Sequence, residues 1–424
     1  MSKRFWLLGF VGLISVALLV ACGSKYNSST NGLVLVGSQG SNLIQTFRFD
    51  LNSGHAAGIS DGPSTSSQPT SIVIDANGEY AYVVLAAPSQ GDAATLGVFK
   101  VNSDGTLTQT GSPIAFNAGP NANVVPGMIA RDAAGKFLFA ADRVTTDSGG
   151  TPVPGSVSVF AIGSGGSLTE VAGSPFFGPT TAFPADVVSV AATPTVFPGT
   201  GINGTQNSVC SIPGNNPPTD EYLYAVDSNN YVVWQFSVDT STGALGNPPN
   251  TTAAPSFATD AVPAGVAVDP CDRFVYVSGS LHNKISAYTI CTTVVTNGGC
   301  PFANGALVEI AGSPISVTGS ANGLGPLLVD PFGNNVYVLG TLSNTVSGFK
   351  ISPVTGNLTA LNPATVATGS QPKAIAIRAD NNWMFVSNYG SASVSQYSIT
   401  PATGALSVLP TLQTENYPWG VAVK

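Results

Sequence analysis

Five charged residues of this 424-residue sequence could perform acid–base chemistry or bind an anion. A carboxylate or an imidazole can act as a general base, and a guanidinium or ammonium group can hold a carboxylate or phosphate. Simpler interpretations exist: adjacent Asp142 and Arg143 could form a solvated ion pair, and His282 could be an exposed turn residue. No Gly-x-Ser-x-Gly motif supplies a nucleophilic serine. The candidate catalytic residues are Asp142, Arg143, Asp186, His282 and Lys373.

A second group of polar and aromatic residues could hold a ligand by hydrogen bonds or stacking. Asparagines in such loops often bond their own turns instead, which is also the simpler interpretation for Asn344. An indole can stack on a sugar ring or anchor a core. The candidates for the ligand-binding face are Asp227, Asn229, Asn388, Tyr389 and Trp419.

Four cysteines are spaced as expected for two disulfides. Cys291 and Cys300 bracket a Thr/Asn/Gly-rich segment, and Cys210 and Cys271 fall at equivalent turns of consecutive repeats. These relations favour the pairs 291–300 and 210–271, out of three possible connectivities. A zinc site is disfavoured because there is no Cys-x-x-Cys pair and His282 stands alone. We therefore expect no metal and no cofactor.

The composition excludes several classes of protein. Only 14 Lys and Arg and 22 Asp and Glu are present, for a net charge of −8, whereas 43% of residues are hydrophobic. A disordered chain would be poorer in apolar residues, and a coiled coil or helical bundle would carry more charge. No basic patch is available to neutralise phosphates, which argues against nucleic-acid binding. The 48 Gly and 31 Pro favour many short strands joined by turns.

One module recurs along the chain, which identifies a repeat architecture. It consists of a proline, an apolar strand, an Asp-containing turn, an aromatic-rich strand, a polar loop and a third strand. Alternation should bury one aromatic residue of each third strand between repeats: Phe47, Phe99, Phe160, Phe236, Tyr288, Phe349 and Tyr397. Seven copies predict an all-β, seven-bladed β-propeller. Blade one lacks its innermost strand, and residues 418–423 have the sequence to complete it.

The turn of the module often carries an aspartate. Calcium binding is disfavoured, because calcium needs six or more oxygens from one cluster and these residues lie in separate blades. They are expected to cap their own hairpins. The residues concerned are Asp75, Asp132, Asp269 and Asp330.

Residues 385–395 (FVSNYGSASVS) resemble the YVTN-type propeller repeat. The blade endings at 105–113 and 166–175 resemble those of the lactonase-like, phosphogluconolactonase-type family of seven-bladed propellers. The resemblance implies a site at the mouth of the central channel that uses His, Arg and Glu. At the matching positions this sequence has Pro126, Ala264 and Gly265, and residues 321–324 contain no acid; only Lys373 keeps a charge.

The residues that follow the repeated prolines should ring the channel mouth. They include Thr70, Gly127, Asp186, Ala264, Gly325, Lys373 and Trp419. Only two of them are charged, so the mouth is expected to be nearly neutral.

The first residues are typical of an export signal. Lys3 and Arg4 precede an uncharged apolar run over 5–20, which ends at a lipobox-like segment before Cys22. We expect a lipoprotein signal peptide over 1–21, a lipidated Cys22 with a flexible linker over 22–32, and the propeller over 33–424. Gly23 after the cysteine resembles the pattern for sorting to the outer membrane.

These observations predict a membrane-anchored, monomeric envelope protein that works by binding a ligand and not as an enzyme. Its partner would be a carbohydrate, a cell-wall fragment or another protein. A lactone hydrolase with rearranged catalytic residues is the first alternative, and a structural surface protein is the second. Fold resemblance alone does not decide among them.

Overall fold

The computed structural model describes residues 30–87, 93–116, 124–147, 150–179, 183–193, 221–247, 256–291, 305–318 and 322–424. These residues form strands and two short 3-10 turns, Ser164–Gly166 and Tyr389–Ser391, and no α-helix. None of the described residues therefore belongs to a helix able to cross a bilayer. The signal peptide predicted for 1–21 and the lipidation site at Cys22 lie outside this part of the chain.

The strands form seven antiparallel sheets that are the blades, and in blades two to seven the four main strands follow one another in sequence order from the inside outwards. Blade two contains Pro69–Ile74, Tyr80–Leu85, Thr95–Val101 and Leu107–Gln109, with Ile114–Ala115 beside its third strand. Blade three contains Val125–Arg131, Phe137–Arg143, Ser156–Ile162 and Leu168–Glu170. A two-stranded ribbon, Thr145–Thr146 with Pro152–Val153, lies between the second and third strands of blade three.

The remaining blades follow the same plan. Blade four contains Val187–Ala192, Glu221–Asp227, Val232–Val238 and Leu245–Gly246, with Ser256–Ala258 beside its third strand. Blade five contains Pro263–Val268, Phe274–Gly279, Lys284–Ile290 and Leu307–Glu309, with Ile315–Ser316 beside its third strand. Blade six contains Leu324–Val329, Asn335–Gly340, Thr345–Ile351 and Leu358–Ala367. Blade seven contains Pro372–Ile377, Trp383–Asn388, Ser393–Ile399 and Leu406–Gln413.

Blade one closes the ring by combining the two ends of the described chain. Its innermost strand is Pro418–Val423, followed outwards by Asn31–Ser38, Leu43–Asp50 and Ala56–Ser60. The innermost strands of neighbouring blades contact each other all the way round, so the sheet edges nearest the axis are covered. The predicted seven-bladed propeller, completed by the C-terminal strand, is confirmed.

The second strand of blade one starts slightly earlier than the expected boundary at residue 33. Asn31 pairs with Asp50, and Gly32 pairs with Phe49. A Cβ atom at Gly32 would come within 2.1 Å of the Phe49 ring, so glycine allows this ring to cover the strand.

Seven hydrophobic clusters hold the blades together, one between each neighbouring pair. The predicted aromatic position of every third strand is buried in one of them, as the alternation of strand side chains requires. In the cluster that holds Phe47, the neighbouring ring of Phe49 also packs at 4.9 Å from Phe385 of blade seven, measured between ring centroids. Burial of this apolar surface provides the main stabilisation of such a ring of sheets.

The propeller has two faces. The mouth face consists of the lead-in loops, which precede the innermost strands, and the hairpins between second and third strands. The turn face consists of the turns between first and second strands. Lys424 lies at the turn face, where its Nζ donates to the carbonyl of Gly78, and Thr30 lies there too, bonded through its carbonyl to the N–H of Leu51.

The recurring aspartates lie on the turn face and cap their own turns, as predicted. Asp75 Oδ1 accepts hydrogen bonds from the backbone N–H groups of Glu79 and Tyr80 at 2.6 and 2.9 Å. Equivalent bonds are made by Asp132, Asp269 and Asp330.

Candidate functional site

The central channel opens at the mouth face into a cavity of about 850 Å³. All seven blades contribute to its wall, which is made mainly of small and apolar residues. Among the described residues that line it, the only charged side chains are those of Arg143 and Lys373, and none is Asp, Glu or His. One residue of each innermost strand, the second residue in six blades and the third in blade three, forms a ring at the mouth: Thr70, Gly127, Val188, Ala264, Gly325, Lys373 and Trp419.

This ring differs from the predicted one in blade four. Val187 pairs with Asp227, which is the register that Pro69 has with Leu85 in blade two. The position after the lead-in proline is therefore taken by Val188, and Asp186 stands before the strand, outside the cavity lining. The predicted ring counted Asp186 from Pro184, the repeated proline of blade four, but Pro184 lies in the loop, three residues before the strand.

Asp186 is held by an ion pair instead of facing the channel. Arg143 Nε lies 2.6 Å from Asp186 Oδ1, and Arg143 Nη2 lies 2.7 Å from Oδ2. The backbone N–H of Val144 also donates to Oδ1, and the N–H of Asp186 donates to Asp227. The hydrogen bond with Asp186 raises the pKa of Arg143. Both oxygens of this carboxylate accept hydrogen bonds from the protein and it lies outside the cavity lining, so it is poorly placed to act as a base.

Asp142 is sealed inside blade three. Its side chain is 2% exposed, and its Oδ2 accepts hydrogen bonds from Ser156 at 2.9 Å and Ser158 at 2.8 Å. Burial raises the pKa of Asp142 to about 7. A group with that pKa suits general base work, but the structure gives it no route to the channel cavity, whose lining excludes it.

Asn388 of blade seven occupies the same position as Asp142. It is the last residue of the second strand, and its Nδ2 donates to Ser393 and Ser395 of the third strand. Because Asn388 is fully buried, its side chain does not belong to the exposed ligand-binding face for which the sequence suggested it. The shared geometry points to a structural role for both residues, since each satisfies hydroxyl groups within its own blade.

Asp227, at this position in blade four, is also fully buried. Its Oδ1 accepts hydrogen bonds from the backbone N–H groups of Asp186, Asn229 and Asn230. The side chain of Asn229 donates to the carbonyl of Pro184 at 2.9 Å. These two candidates thus order the loops of blade four, and the expected ligand-binding role of Asp227 is not supported by its burial.

His282 lies on the exposed hairpin of blade five, and its partner was not found from the sequence. Its Nδ1 lies 3.0 Å from Oδ1 of Asp260, a lead-in loop residue. Gly279 makes room for this carboxylate, because a Cβ atom there would come within 2.6 Å of Asp260 Oδ2. Gly279 stands at the position that Asp142, Asp227 and Asn388 occupy in blades three, four and seven. Neither His282 nor Asp260 lines the cavity.

The hairpin asparagines join neighbouring blades. Asn344 was expected to bond its own turn, but its Oδ1 accepts a hydrogen bond at 2.8 Å from the N–H of Gln371, in the lead-in loop of blade seven. Asn283 Oδ1 likewise accepts a hydrogen bond at 2.7 Å from the N–H of Gly323, in the lead-in loop of blade six. Both asparagines have φ near +57°, a conformation that asparagine tolerates better than most residues.

Lys373 and three aromatic rings form a cluster at the mouth between blades seven and one. Lys373 Nζ lies 4.7 Å from the centroid of the Trp419 ring and 5.6 Å from that of Tyr389. Tyr389 meets Trp419 edge to face at 5.5 Å and stacks on Tyr417 at 4.8 Å. Burial lowers the pKa of Lys373. No described residue gives this lysine a carboxylate or a hydrogen-bond partner, so its ammonium group is available to a ligand.

The sequence thus identified Lys373, Tyr389 and Trp419, and the structure brings these three together. It missed Tyr417, whose only sequence signal is its place directly before the C-terminal strand.

Two of the four cysteines are described. Cys271 and Cys291 are each buried, and each belongs to a disulfide. Cys210 and Cys300 lie outside the described residues, so the predicted pairing remains a prediction.

Solved structures with the same architecture are similar over almost the whole chain. A putative 6-phosphogluconolactonase from Bacteroides fragilis has a TM-score of 0.67 at 20% identity, covering 94% of this chain and 99% of that one. One from Bacteroides uniformis has a TM-score of 0.68 at 19% identity, covering 93% and 100%. A periplasmic gluconolactonase from Pseudomonas aeruginosa has a TM-score of 0.68 at 18% identity, covering 93% and 99%. At these identities the likeness concerns the fold.

A comparison with curated proteins finds no match. The family described as the seven-bladed beta-propeller lactonase matches residues 27–184 and 304–423, which together are more than half of the sequence. The chain belongs to this lactonase family of seven-bladed β-propellers.

Proposed function

We propose that this protein is a binding module that holds an organic anion, such as a sugar acid, at the mouth of its central channel. One observation carries the proposal. The charged side chains of the cavity lining are those of Arg143 and Lys373, with no carboxylate or imidazole among the described lining residues. Such a wall attracts a carboxylate and offers no general base to activate water.

Lys373 would be the main contact for the anion. In the part of the chain that the structure describes, its ammonium group contacts aromatic rings and has no ion-pair partner, whereas Arg143 is already engaged by Asp186. An ammonium group that is partly removed from water gains more from a bound anion than an exposed one does.

Titration calorimetry with D-glucuronate and with its neutral analogue D-glucose tests the proposal. We expect binding of glucuronate only, and loss of that binding in the Lys373→Met variant. Equal binding of both sugars, or of neither, would contradict an anion site.

Lactone hydrolysis is the second candidate function, and membership of the lactonase family favours it. It requires a base from Asp142, Asp186 or His282, none of which lines the cavity. Steady hydrolysis of glucono-1,5-lactone above the spontaneous rate, lost on substitution of one of these residues in a folded variant, would establish it in place of simple binding.

The proposed setting is the cell envelope, with lipid on Cys22 as the anchor and the outer membrane as the destination. The support is the sequence of the first 23 residues. Metabolic labelling with a fatty acid, compared between the wild type and Cys22→Ser, tests the anchor.

A further inference from the structure

The aromatic cluster at the mouth extends away from the channel as a ledge. We use that name for Trp419, Tyr389 and Tyr417. Trp419 is in the ring of residues at the channel mouth, Tyr389 meets it edge to face, and Tyr417 stacks on Tyr389. Neither tyrosine is among the described residues that line the cavity, so the two tyrosine rings lie beside the lining and Tyr417 connects to Trp419 through Tyr389.

The ledge remains accessible at its outer end. Tyr417 is 50% exposed, whereas the side chains of Trp419 and Tyr389 are both less exposed than that. Tyr417 also has φ of +60°, which is unfavourable for a bulky residue and presents its ring on the lead-in loop of blade one. The ledge therefore places exposed aromatic surface next to the part of the cavity that Lys373 lines.

The chemistry of the ledge suits a sugar ring. The face of an aromatic ring is electron-rich, and the C–H groups on one side of a hexose carry partial positive charge. Lys373, at 4.7 Å from Trp419, supplies the positive charge for a carboxylate at the inner end. The cavity and the ledge thus present a cation followed outwards by aromatic rings.

We infer that the ledge is an outer saccharide subsite, and that the ligand is an acidic oligosaccharide whose carboxylate pairs with Lys373 while the adjoining sugar ring packs on Tyr417. This inference rests on the proposed function, because it assigns the substrate class of the same site. It adds a requirement that anion binding alone does not have: a second sugar ring must increase affinity, and Tyr417 must be the cause.

The test compares three probes by titration calorimetry on the full-length protein: D-glucuronate, cellobiuronate and cellobiose. Cellobiuronate carries the acid and a second ring, whereas cellobiose has two rings without the acid. We expect cellobiuronate to bind about tenfold more tightly than D-glucuronate. Tyr417→Ala should abolish that difference and leave the affinity for D-glucuronate unchanged, and Tyr417→Phe should retain it.

Tyr231 is the matched control. It is 43% exposed, lies on the mouth face in blade four and also has positive φ, at +57°. Tyr231→Ala should leave the affinity for all three probes as in the wild type. Lys373→Met should weaken both acidic probes, and melting temperatures should show that every variant is folded.

The outcomes separate the two proposals. If D-glucuronate binds but Tyr417→Ala leaves the affinity for cellobiuronate unchanged, the outer subsite is wrong and the anion site stands. If cellobiose binds as tightly as cellobiuronate in a manner that needs Tyr417, the subsite stands and the anion requirement is wrong. Binding of none of the three probes overturns both.

Discussion

Arg143 and Asp186 form a two-point ion pair across blades three and four, with N–O distances of 2.6 and 2.7 Å. The arginine side chain is 43% exposed, whereas that of the aspartate is only 8% exposed. The carboxylate is therefore the partner that depends on the pair, because it would otherwise be a charge with little access to water. One of the two cations of the cavity lining is thus committed to the fold.

The first prediction follows from that asymmetry. Arg143→Met should lower the free energy of unfolding by about 1–2 kcal/mol, an estimate reduced for the exposure of the arginine. Adding Asp186→Asn should restore most of the loss, because the neutral amide needs no counter-charge. Urea denaturation of the two single variants and the double variant measures the coupling. Additive losses would show that the pair makes no energetic contribution.

The second prediction concerns the pH dependence of stability. The pKa of Asp142 is raised to about 7, so between about pH 4 and pH 7 the folded state retains a proton that the unfolded state releases. The contribution of this group to stability is therefore lost as the pH rises through that window. Asp142→Asn removes the ionisation and reproduces the amide that Asn388 places between two serines. The variant should be more stable than the wild type at pH 8, on the order of 2 kcal/mol.

Urea denaturation at pH 5 and at pH 8 checks this prediction. The gain from Asp142→Asn should be much smaller at pH 5, where the native carboxyl group is already protonated. A gain of equal size at both pH values would mean that the buried carboxyl group does not titrate in this range.

The third prediction concerns the pH dependence of binding. Burial lowers the pKa of Lys373, so its ammonium group loses its proton at a lower pH than an exposed lysine does. Affinity for D-glucuronate should therefore be full below that pKa and decline as the pH rises through it, before an ordinary lysine would titrate. Calorimetric titrations from pH 6 to pH 10 measure the decline. Lys350 is an exposed control, and Lys350→Met should change neither the affinity nor the pH profile.

The propeller could be predicted from the sequence because each blade repeats the same alternation of buried and exposed strand residues. The aromatic residue of each third strand fills the gap to the preceding blade, and the seven such residues marked seven blades. The register of blade four could not be read in this way. Pro184 looks like the first residue of a strand, but the loop continues to Val187, and only the pairing with Asp227 reveals it.

The candidate site was partly predictable for the same reason. Lys373 and Trp419 stand at a repeated position, so the repeat itself places them at the mouth. Tyr417 and Asp260 belong to lead-in loops, and their partners come from other segments of the chain. Asp142 and Asp227 were expected to be exposed because each is charged and lies near the end of a strand. Both are buried, because the hydroxyl of Ser156 donates a hydrogen bond to Asp142 and the N–H of Asp186 donates one to Asp227.

The last prediction concerns the orientation of an anchored molecule. Thr30 lies on the turn face, and only seven residues separate it from Cys22. The eight Cα–Cα steps from Cys22 to Thr30 would span at most about 28 Å if fully extended. Strands of six to eight residues make the blades roughly 20–27 Å tall. A lipid-anchored chain should therefore hold its turn face towards the membrane and its mouth face, with Lys373 and the ledge, away from it.

Two exposed residues of blade six allow a matched measurement. Leu342 lies on the mouth face and is 73% exposed. Val354 is 80% exposed and lies in the hairpin between the third and fourth strands, which is at the same end of the propeller as the turn face and accepts a hydrogen bond there from Arg273 through the carbonyl of Pro353. A fluorophore introduced at Val354 through an azido amino acid should transfer energy to a dye in the bilayer more efficiently than one at Leu342. Cys22→Ser should abolish the transfer from both sites. Equal transfer from the two sites in anchored protein would show that the linker leaves the propeller free to turn over, and stronger transfer from Leu342 would place the channel mouth against the membrane.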